Sequence, residues 1–532
     1  MPGPSLVPNL RDLLHVAPEL VLTVWGLLVL TVDLTALRNV EPTRRGRVLG
    51  LLSLVGVLVA LVSCLVPGWA GLNASVREPS VFLGAIAGGP LVDASNAVFV
   101  ILLGLVVALA SSWSFTEHWG EFFALLLWAT VGMMLLVASE ELLTLFLTLE
   151  MMTICLYLLS AFEKGKDRSP EAGLKYFVYG SVSSALFLFG LSLLYGLTGT
   201  TSLAGIGRAL ASRGVQSGLG GDVAGASAVL LVLVGFGFKI AAVPFHAWAP
   251  DVYEGSPAPV SAWVATGSKV ASVIALLKVM LQALGPWSSR PEGLESPGWL
   301  GPVAVIAAVT MTYGNFAALA QGNLKRMLAY SSVAHAGYLL VGIIAASVSV
   351  DPSAASGAVL FYLVVYAFTT MGAFAVAAWL FRDGGSERID DLDGLGAKAP
   401  LLGVCIVILM LSLIGLPPFA GFFAKLFLFM EALHAAPRYR LTFLWLVGLG
   451  FLNSVVSAFY YARVLRALFL RPERPGAPRK PATAAIAVAI MVGAAVAVGF
   501  GVQARSLSSE SIALARSRLF AVPGPIETVR GR

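Results

Sequence analysis

The chain has 532 residues, of which 58% are hydrophobic and only 12% are charged, and its mean hydropathy is +0.86. A water-soluble fold of this size does not reach such values, so the composition points to an integral membrane protein and excludes a soluble enzyme. The formal net charge of +6 sits mostly in loops and in the tail, which suits anionic lipid headgroups and does not point to nucleic acid.

The N-terminal stretch MPGPSLVPNLRDLLHVAPEL lacks both a basic start and a small-residue cleavage site, so the first apolar run predicts a retained span and not a signal peptide. Runs of about 20 apolar residues follow from end to end, each long enough at about 1.5 Å per residue to cross a hydrocarbon core of about 30 Å. They predict an all-α polytopic protein with fourteen transmembrane helices, at 18 to 37, 48 to 66, 91 to 115, 121 to 139, 141 to 162, 171 to 197, 226 to 246, 257 to 284, 300 to 320, 326 to 348, 356 to 381, 400 to 433, 441 to 470 and 482 to 502. Alternating strand patterns are absent, and the connections are too short for a separate soluble domain.

Orientation follows from lysine and arginine placement, because positive loops stay cytoplasmic. One set of alternate loops holds sixteen: Arg38, Arg44, Arg45, Arg47, Lys164, Lys166, Arg168, Lys325, Arg326, Arg382, Arg388, Lys398, Arg471, Arg474, Arg479 and Lys480. The opposite set holds six: Arg77, Arg208, Arg213, Arg290, Arg438 and Arg440. This places both termini outside, while the arginines beyond residue 503 argue mildly the other way.

Prolines interrupt the seventh span at Val243-Pro244-Phe245 and the twelfth at Leu416-Pro417-Pro418-Phe419. The two lie five spans apart and therefore run in opposite directions, the pattern of an inverted repeat with two broken helices. An ordinary proline kink in each helix is the alternative. The chain then divides into helices 1–3 (1–120), a first five-helix repeat (121–284) broken near Pro244, a second (300–470) broken near Pro417 and Pro418, and a last helix with its tail (482–532).

Charged residues stand inside these apolar segments: Glu150 in LFLTLEMMTICLYLL, Lys175 in EAGLKYFVYGSV, Lys239 in GFGFKIAAVP, Lys269 in ATGSKVASVIALLK and Lys425 in FAGFFAKLFLFM, with His335 in YSSVAHAGYLL. A lysine at mid-membrane costs about 2.5 to 3.5 kcal/mol on the translocon scale, so four of them cost on the order of 10 to 14 kcal/mol. Lysine in water titrates near ~10.4, burial brings that toward neutrality, and an approaching carboxylate moves it back. A glutamate that moves relative to a lysine therefore times the gain and loss of a proton, which arginine cannot do. Static ion pairing is the bland alternative, but one carboxylate cannot neutralise three or four lysines. Lys278, near the end of its span, is expected to snorkel to the headgroups, and Lys175 lies shallow enough to do the same. His335 on its own reads as a core histidine, and its place between lysine-bearing spans makes it a candidate relay.

Other chemistry has no visible seat. Cys64, Cys155 and Cys405 are dispersed in apolar runs, and three thiols cannot ligate an iron–sulfur cluster. The five histidines lack metal-ligand spacing, and no GxGxxG or GxxxxGK[ST] stretch occurs. GLGGDVAG at 218 to 225 reads as a flexible loop, and IDDLDGLG at 389 to 396 as a solvated connector.

Three longer stretches, FKIAAVPFHAWAPDVYEGSPAPVSAW, NLKRMLAYSSVAHAGYLLVG and GLPPFAGFFAKLFLF, resemble the signature segments of the antiporter-like membrane subunits of respiratory complex I, the NADH–quinone oxidoreductase of bacteria. The likeness runs from the first span to about residue 470, and the stretch DVYEGSPAP together with Lys425 is similar to the N-type subunits more than to the L and M types. The resemblance implies fourteen helices and a proton-translocating function in the plasma membrane. It implies that Glu150 pairs with a lysine, that Lys239 is the central lysine beside the first break, and that Lys175 is an additional sixth-helix lysine. Lys269 would be the linking lysine, His335 a histidine on the connecting axis and Lys425 the terminal lysine. It further implies that the chain binds no cofactor itself, that NAD, FMN, iron–sulfur clusters and quinone belong to other subunits, and that an M-type antiporter-like subunit and a small K-type subunit are neighbours. A subunit of a multi-subunit Mrp-type sodium/proton antiporter resembles the same family and is the principal rival. A stand-alone secondary transporter and a purely structural bundle subunit are the others. The connection at 198 to 225 and the tail beyond 503 fall outside the pattern.

Overall fold

A computed structural model describes residues 13, 15–69, 82–112, 114–212, 223–288, 298–382, 387–435, 439–472 and 481–518. Arg77, Arg213, Arg290, Arg438, Arg474, Arg479, Lys480, residues 218–222 of the Gly-rich stretch and the tail from 519 lie outside the described residues.

Six helices come first: α1 Ala17–Thr35, α2 Pro42–Trp69, α3 Pro90–Ala110, α4 Trp119–Ala138, α5 Leu142–Ser160 and α6 Arg168–Thr198. The seventh span, α7 Val223–Ile240, ends in a turn through Pro244 that leads to the short α8 Trp248–Gly255 beyond the span. Next comes α9 Ala258–Ala283, in which two wide π-helical turns, Val264–Ser268 and Val279–Ala283, flank the segment Lys269–Lys278. Then follow α10 Leu300–Leu319, α11 Leu324–Val348 and α12 Pro352–Phe381. The twelfth span is split into α13 Pro400–Ile414 and α14 Ala420–Leu433. Completing the order are α15 Arg440–Leu470, α16 Ala484–Val502 and α17 Ala504–Arg518. Thirteen helices among the described residues are long and apolar enough to cross a membrane, and the split α13–α14 makes the fourteenth, so the span count read from the sequence holds.

Local chemistry sets the ends. Proline opens α12 and α13, where its missing N–H costs nothing. Side chains of Asn323, Asp351 and Thr483 accept the first free amides of α11, α12 and α16. Gly199 and Gly415 close α6 and α13 in the left-handed region. The connection after α6 is not the uninterrupted loop its Gly and Ser content suggests. Leu203–Ser212 form a helix because Leu203, Ile206 and Leu210 fall on one face and are buried.

Backbone and ion-pair contacts fix which helix ends lie together. At one end, Ala87 N donates to Ala138 O, Glu141 pairs with Ser202, Ser349 with Ala435, and Arg516 with Asp351. At the other, Asn323 pairs with Arg388, Arg471 with Asp390, and Thr483 donates to Ser112. Consecutive spans alternate accordingly, so α7 and α13 point in opposite directions, and Ala17 and Arg518 lie at the same end. The core is built on α9, α11 and α12, whose most apolar windows are 94%, 89% and 94% buried, whereas those of α1, α2 and α15 are 33% buried and lie at the periphery.

Candidate functional site: a buried polar axis

Each break exposes helix-end carbonyls that need donors. At the first, Ala241 leaves α7 in the left-handed region, a conformation disfavoured by about 1 to 2 kcal/mol for a residue with a Cβ. Trp248 Nε1 donates to Phe238 O at 3.0 Å, and Val243 N donates across to Thr310 Oγ1 of α10 at 3.0 Å. At the second, Lys425 is itself the donor: from α14 its Nζ reaches Ile414 O at 2.7 Å and Leu413 O at 3.2 Å, the carbonyl end of α13. Both breaks contain a cis X-Pro bond, Val243-Pro244 and Pro417-Pro418.

Lys239, in the last turn of α7, is buried and donates to Thr153 Oγ1 of α5 at 2.6 Å. Its Nζ stands 3.9 Å from Glu150 Oε1, one turn earlier on α5. Glu150 Oε1 also accepts from Ser184 Oγ of α6 at 2.6 Å. Lys269, buried on α9 directly after the first π-helical turn, donates to Ser332 O at 2.6 Å and Ser332 Oγ at 2.5 Å. Such widened turns recur at functional positions in helices. The Tyr366 hydroxyl of α12 lies 2.8 Å from the same Ser332 Oγ and 3.1 Å from Ala265 O, the latter a carbonyl inside the π-helical turn. The Tyr366 ring lies 5.0 Å from that of His335, whose Nδ1 is 2.7 Å from Tyr362 OH. Between His335 and Lys425 lies a cavity of about 10 Å³ lined by Tyr362, Tyr366, Thr369 and Ser412. That is roughly the volume one water needs.

Of the residues singled out in the sequence, Glu150 and Lys239 therefore meet, and Lys269, His335 and Lys425 form a second group joined through Ser332, Tyr366 and the small cavity. Lys175 is not brought to Glu150. It pairs with Glu171 at 2.7 Å and with Asp251 of α8 at 2.9 Å. Asp251 also binds Arg326 of α11 at 2.7 Å, and Arg326 binds Glu254 at 3.0 Å, beside a cavity of about 140 Å³. Burial opposes the charge on Asp251, but Lys175 and Arg326 outweigh it and hold its carboxyl below the usual carboxylate range.

Lys278 departs from the expectation that it snorkels. Its side chain is 1% exposed and turned inward, pairing with Glu140 at 3.0 Å and donating to Ser139 O at 2.6 Å and Val137 O at 3.0 Å, the end of α4. The carbonyl end of a helix offers an ammonium what the headgroups would. The sequence reading passed over Thr153, Ser184, Ser332, Tyr362 and Tyr366. Ser and Thr in apolar helices are common, and only their distances to the charged groups mark these. No group of His, Cys, Asp and Glu among the described residues is arranged to hold a metal.

Residues 139–454 match the family described as NADH:quinone oxidoreductase/Mrp antiporter, TM. The chain is 42% identical over 469 residues to an NADH-quinone oxidoreductase subunit N 2 of Acidobacterium capsulatum, spanning 86% of this chain and 89% of that one. It is also 42% identical over 413 residues to the subunit N of Moorella thermoacetica, with coverages of 76% and 81%. Among solved structures, a chain of respiratory complex I from Thermus thermophilus with bound Aureothin superposes with a TM-score of 0.72 at 32% identity, covering 92% of this chain and 98% of that chain. A chain of the Mrp complex from Dietzia sp. DQ12-45-1b gives 0.76 at 21% identity, with coverages of 96% and 97%, a likeness of fold alone. On sequence and fold together, the chain belongs to the NADH:quinone oxidoreductase/Mrp antiporter family of membrane proteins, and within it to the subunit N group.

Proposed function

We propose that the chain is a proton-translocating membrane-arm subunit of a bacterial NADH–quinone oxidoreductase, with no redox centre of its own. The observation that carries this reading is the buried Lys239 held 3.9 Å from Glu150 beside one helix break, with the buried Lys425 held on the carbonyl end of α13 beside the second. Energy released by quinone reduction elsewhere in the complex moves Glu150 relative to Lys239. The ammonium then gains or loses the carboxylate's attraction, and a proton passes through Lys269, Ser332, Tyr366 and His335 to Lys425 and leaves outward. Lys175 and Asp251 sit at the mouth of this system, on the side that the lysine and arginine count makes cytoplasmic, and both termini are external. Helices 4–8 and 9–13 act as two inverted units, each carrying one break. NAD, FMN, iron–sulfur clusters and quinone belong to other subunits.

The surface of α5 supports a membrane partner. Glu150 shares an i, i+3, i+4 stripe with Leu143, Leu147, Ile154 and Leu158, which are 51–65% exposed, and its own side chain is 21% exposed. A mid-membrane carboxylate facing lipid is costly, so another helix covers this stripe. An M-type antiporter-like subunit and a small K-type subunit are the neighbours the family resemblance suggests.

Lys239→Ala tests the mechanism: proton pumping and coupled quinone reduction are expected to fall while assembly is retained, and full pumping would remove it. The Mrp-type reading is kept because the fold likeness to the Dietzia complex, with a TM-score of 0.76, is at least as high as the 0.72 to complex I. Solubilising the native membrane with a C-terminal tag decides between them. Co-purifying flavin and iron–sulfur subunits with NADH-dependent quinone reduction support the first, and only antiporter-type membrane subunits without redox activity support the second.

A further inference from the structure

The peripheral helices hold a second set of buried polar groups that the axis does not use. Glu19, in the first turn of α1, is 4% exposed, and Asn96 of α3 is 3% exposed. Asn96 Nδ2 donates to Glu19 Oε1 at 2.9 Å. The two remaining head-group oxygens, Glu19 Oε2 and Asn96 Oδ1, are both buried and have no hydrogen-bond partner among the described residues. Asp93, in the first turn of α3, and Cys64 of α2 are close enough to interact electrostatically with Glu19. His15 lies one turn before Glu19 and faces Gly88, where an added Cβ would come within 2.9 Å of its Nδ1.

An ionised carboxylate and an amide oxygen are acceptors only, so Oε2 and Oδ1 cannot satisfy each other. Buried acceptors without a donor are rare and call for an explanation. One proton on the carboxyl supplies it: Oε2 becomes a donor, to Asn96 Oδ1 directly or through a single water. The first turn of α1 favours an anion. Against it stand the like charge of Asp93 and two unmet acceptors. A calcium-like cation asks for about 6 to 8 oxygen ligands, far more than the two free oxygens here.

We propose that Glu19 and Asn96 form a buried proton-binding site in the N-terminal helices, independent of the axis from Glu150 to Lys425. It lies at the end of the bundle where α1 and α3 begin, near the α4–α5 turn, to which residues 85–87 are tied by Ala87 N to Ala138 O (2.7 Å) and Glu140 N to Ala85 O (2.9 Å).

The test is infrared spectroscopy of the intact complex in lipid nanodiscs near neutral pH, wild type against Glu19→Gln, in water and in deuterium oxide. Glutamine keeps the shape and hydrogen bonding of a neutral acid, so assembly within twofold of wild type is expected. The wild type should show a protonated-carboxyl C=O stretch, downshifted by deuterium, that Glu19→Gln lacks. Loss of a carboxylate band instead overturns the proposal, as does a carboxylate band that moves when sodium is replaced by choline. If Glu19→Gln does not accumulate, Asn96→Leu decides: an upshift of the carboxyl band supports the site, and an unchanged spectrum overturns it.

Discussion

Replacing Glu150 by aspartate and by glutamine separates the carboxylate's charge from its hydrogen bonding. Two unit charges 3.9 Å apart attract by ~4 kcal/mol at an effective dielectric constant of ~20. Aspartate withdraws the carboxylate by about one C–C bond, ~1.5 Å, to a separation of ~5.4 Å, where ~3 kcal/mol remains. Glutamine removes the whole Coulombic attraction yet still offers an oxygen to Ser184, which now donates to Oε1 at 2.6 Å. With ~1.4 kcal/mol per factor of ten, a step governed by this attraction slows about fivefold in Glu150→Asp and by up to about a thousandfold in Glu150→Gln. The assay is the initial rate of proton uptake into proteoliposomes per NADH oxidised, with an uncoupled control for electron transfer. Equal impairment of the two variants, or normal pumping by Glu150→Gln, would refute the claim that charge at this distance drives the cycle.

Asp251 carries a pH signature. Its folded value lies below the unfolded ~3.9, so its pairing stabilises the chain above about pH 4 and the contribution is lost as pH falls through the folded value. Asp251→Asn should therefore lower the melting temperature of the complex near neutrality, and the gap to wild type should close in acid. Lys278→Ala removes the ammonium facing Glu140 and the donor to the Val137 and Ser139 carbonyls at the end of α4, and breaking such a pair costs ~3 to 5 kcal/mol. The yield of assembled complex should drop, and the double variant Lys278→Ala/Glu140→Ala should recover part of it in a native-gel assay. Gly132→Ala places a Cβ 2.7 Å from Met152 N, so α4 and α5 must separate at a cost of ~1 to 3 kcal/mol. Met152 precedes Thr153, and both thermal stability and pumping should fall in that variant.

The spans were legible because apolar length is what a bilayer selects, and the breaks because proline cannot continue a helix. Lys239, Lys269 and Lys425 were legible because a lone charge in an apolar run has no cheap explanation. What the sequence does not carry is which charges face inward. Lys278 lies near a span end, where headgroups and a helix C-terminus are equally within reach of a long side chain, and only packing against α4 decides. Lys175 lies about two turns inside α6, and the partner that claims it, Asp251, is 76 residues away on a helix whose position follows from the first break. Ser332 and Tyr366 resemble many other hydroxyls in apolar helices. Glu19 reads as the ordinary edge of a span until Asn96 is seen against it.

The two end lysines stand on opposite sides of their breaks, and in the proposed mechanism this would give the proton path a direction. Lys239 belongs to the helix that ends, and its countercharge is Glu150, a side chain on α5 that is partly exposed at a surface another helix would cover. Lys425 belongs to the helix that begins after the break, and its nearest acceptors are the backbone carbonyls of Leu413 and Ile414, with no carboxylate among the described residues acting on it. A side chain can swing away from its partner, whereas the end of a helix is fixed by the fold. The attraction on Lys239 is therefore adjustable from outside the chain, and that on Lys425 is not. In the proposed mechanism, a displacement of Glu150 by a neighbouring subunit would change the proton affinity at one end only, and an axis with one adjustable end and one fixed end would pass a proton in a preferred direction.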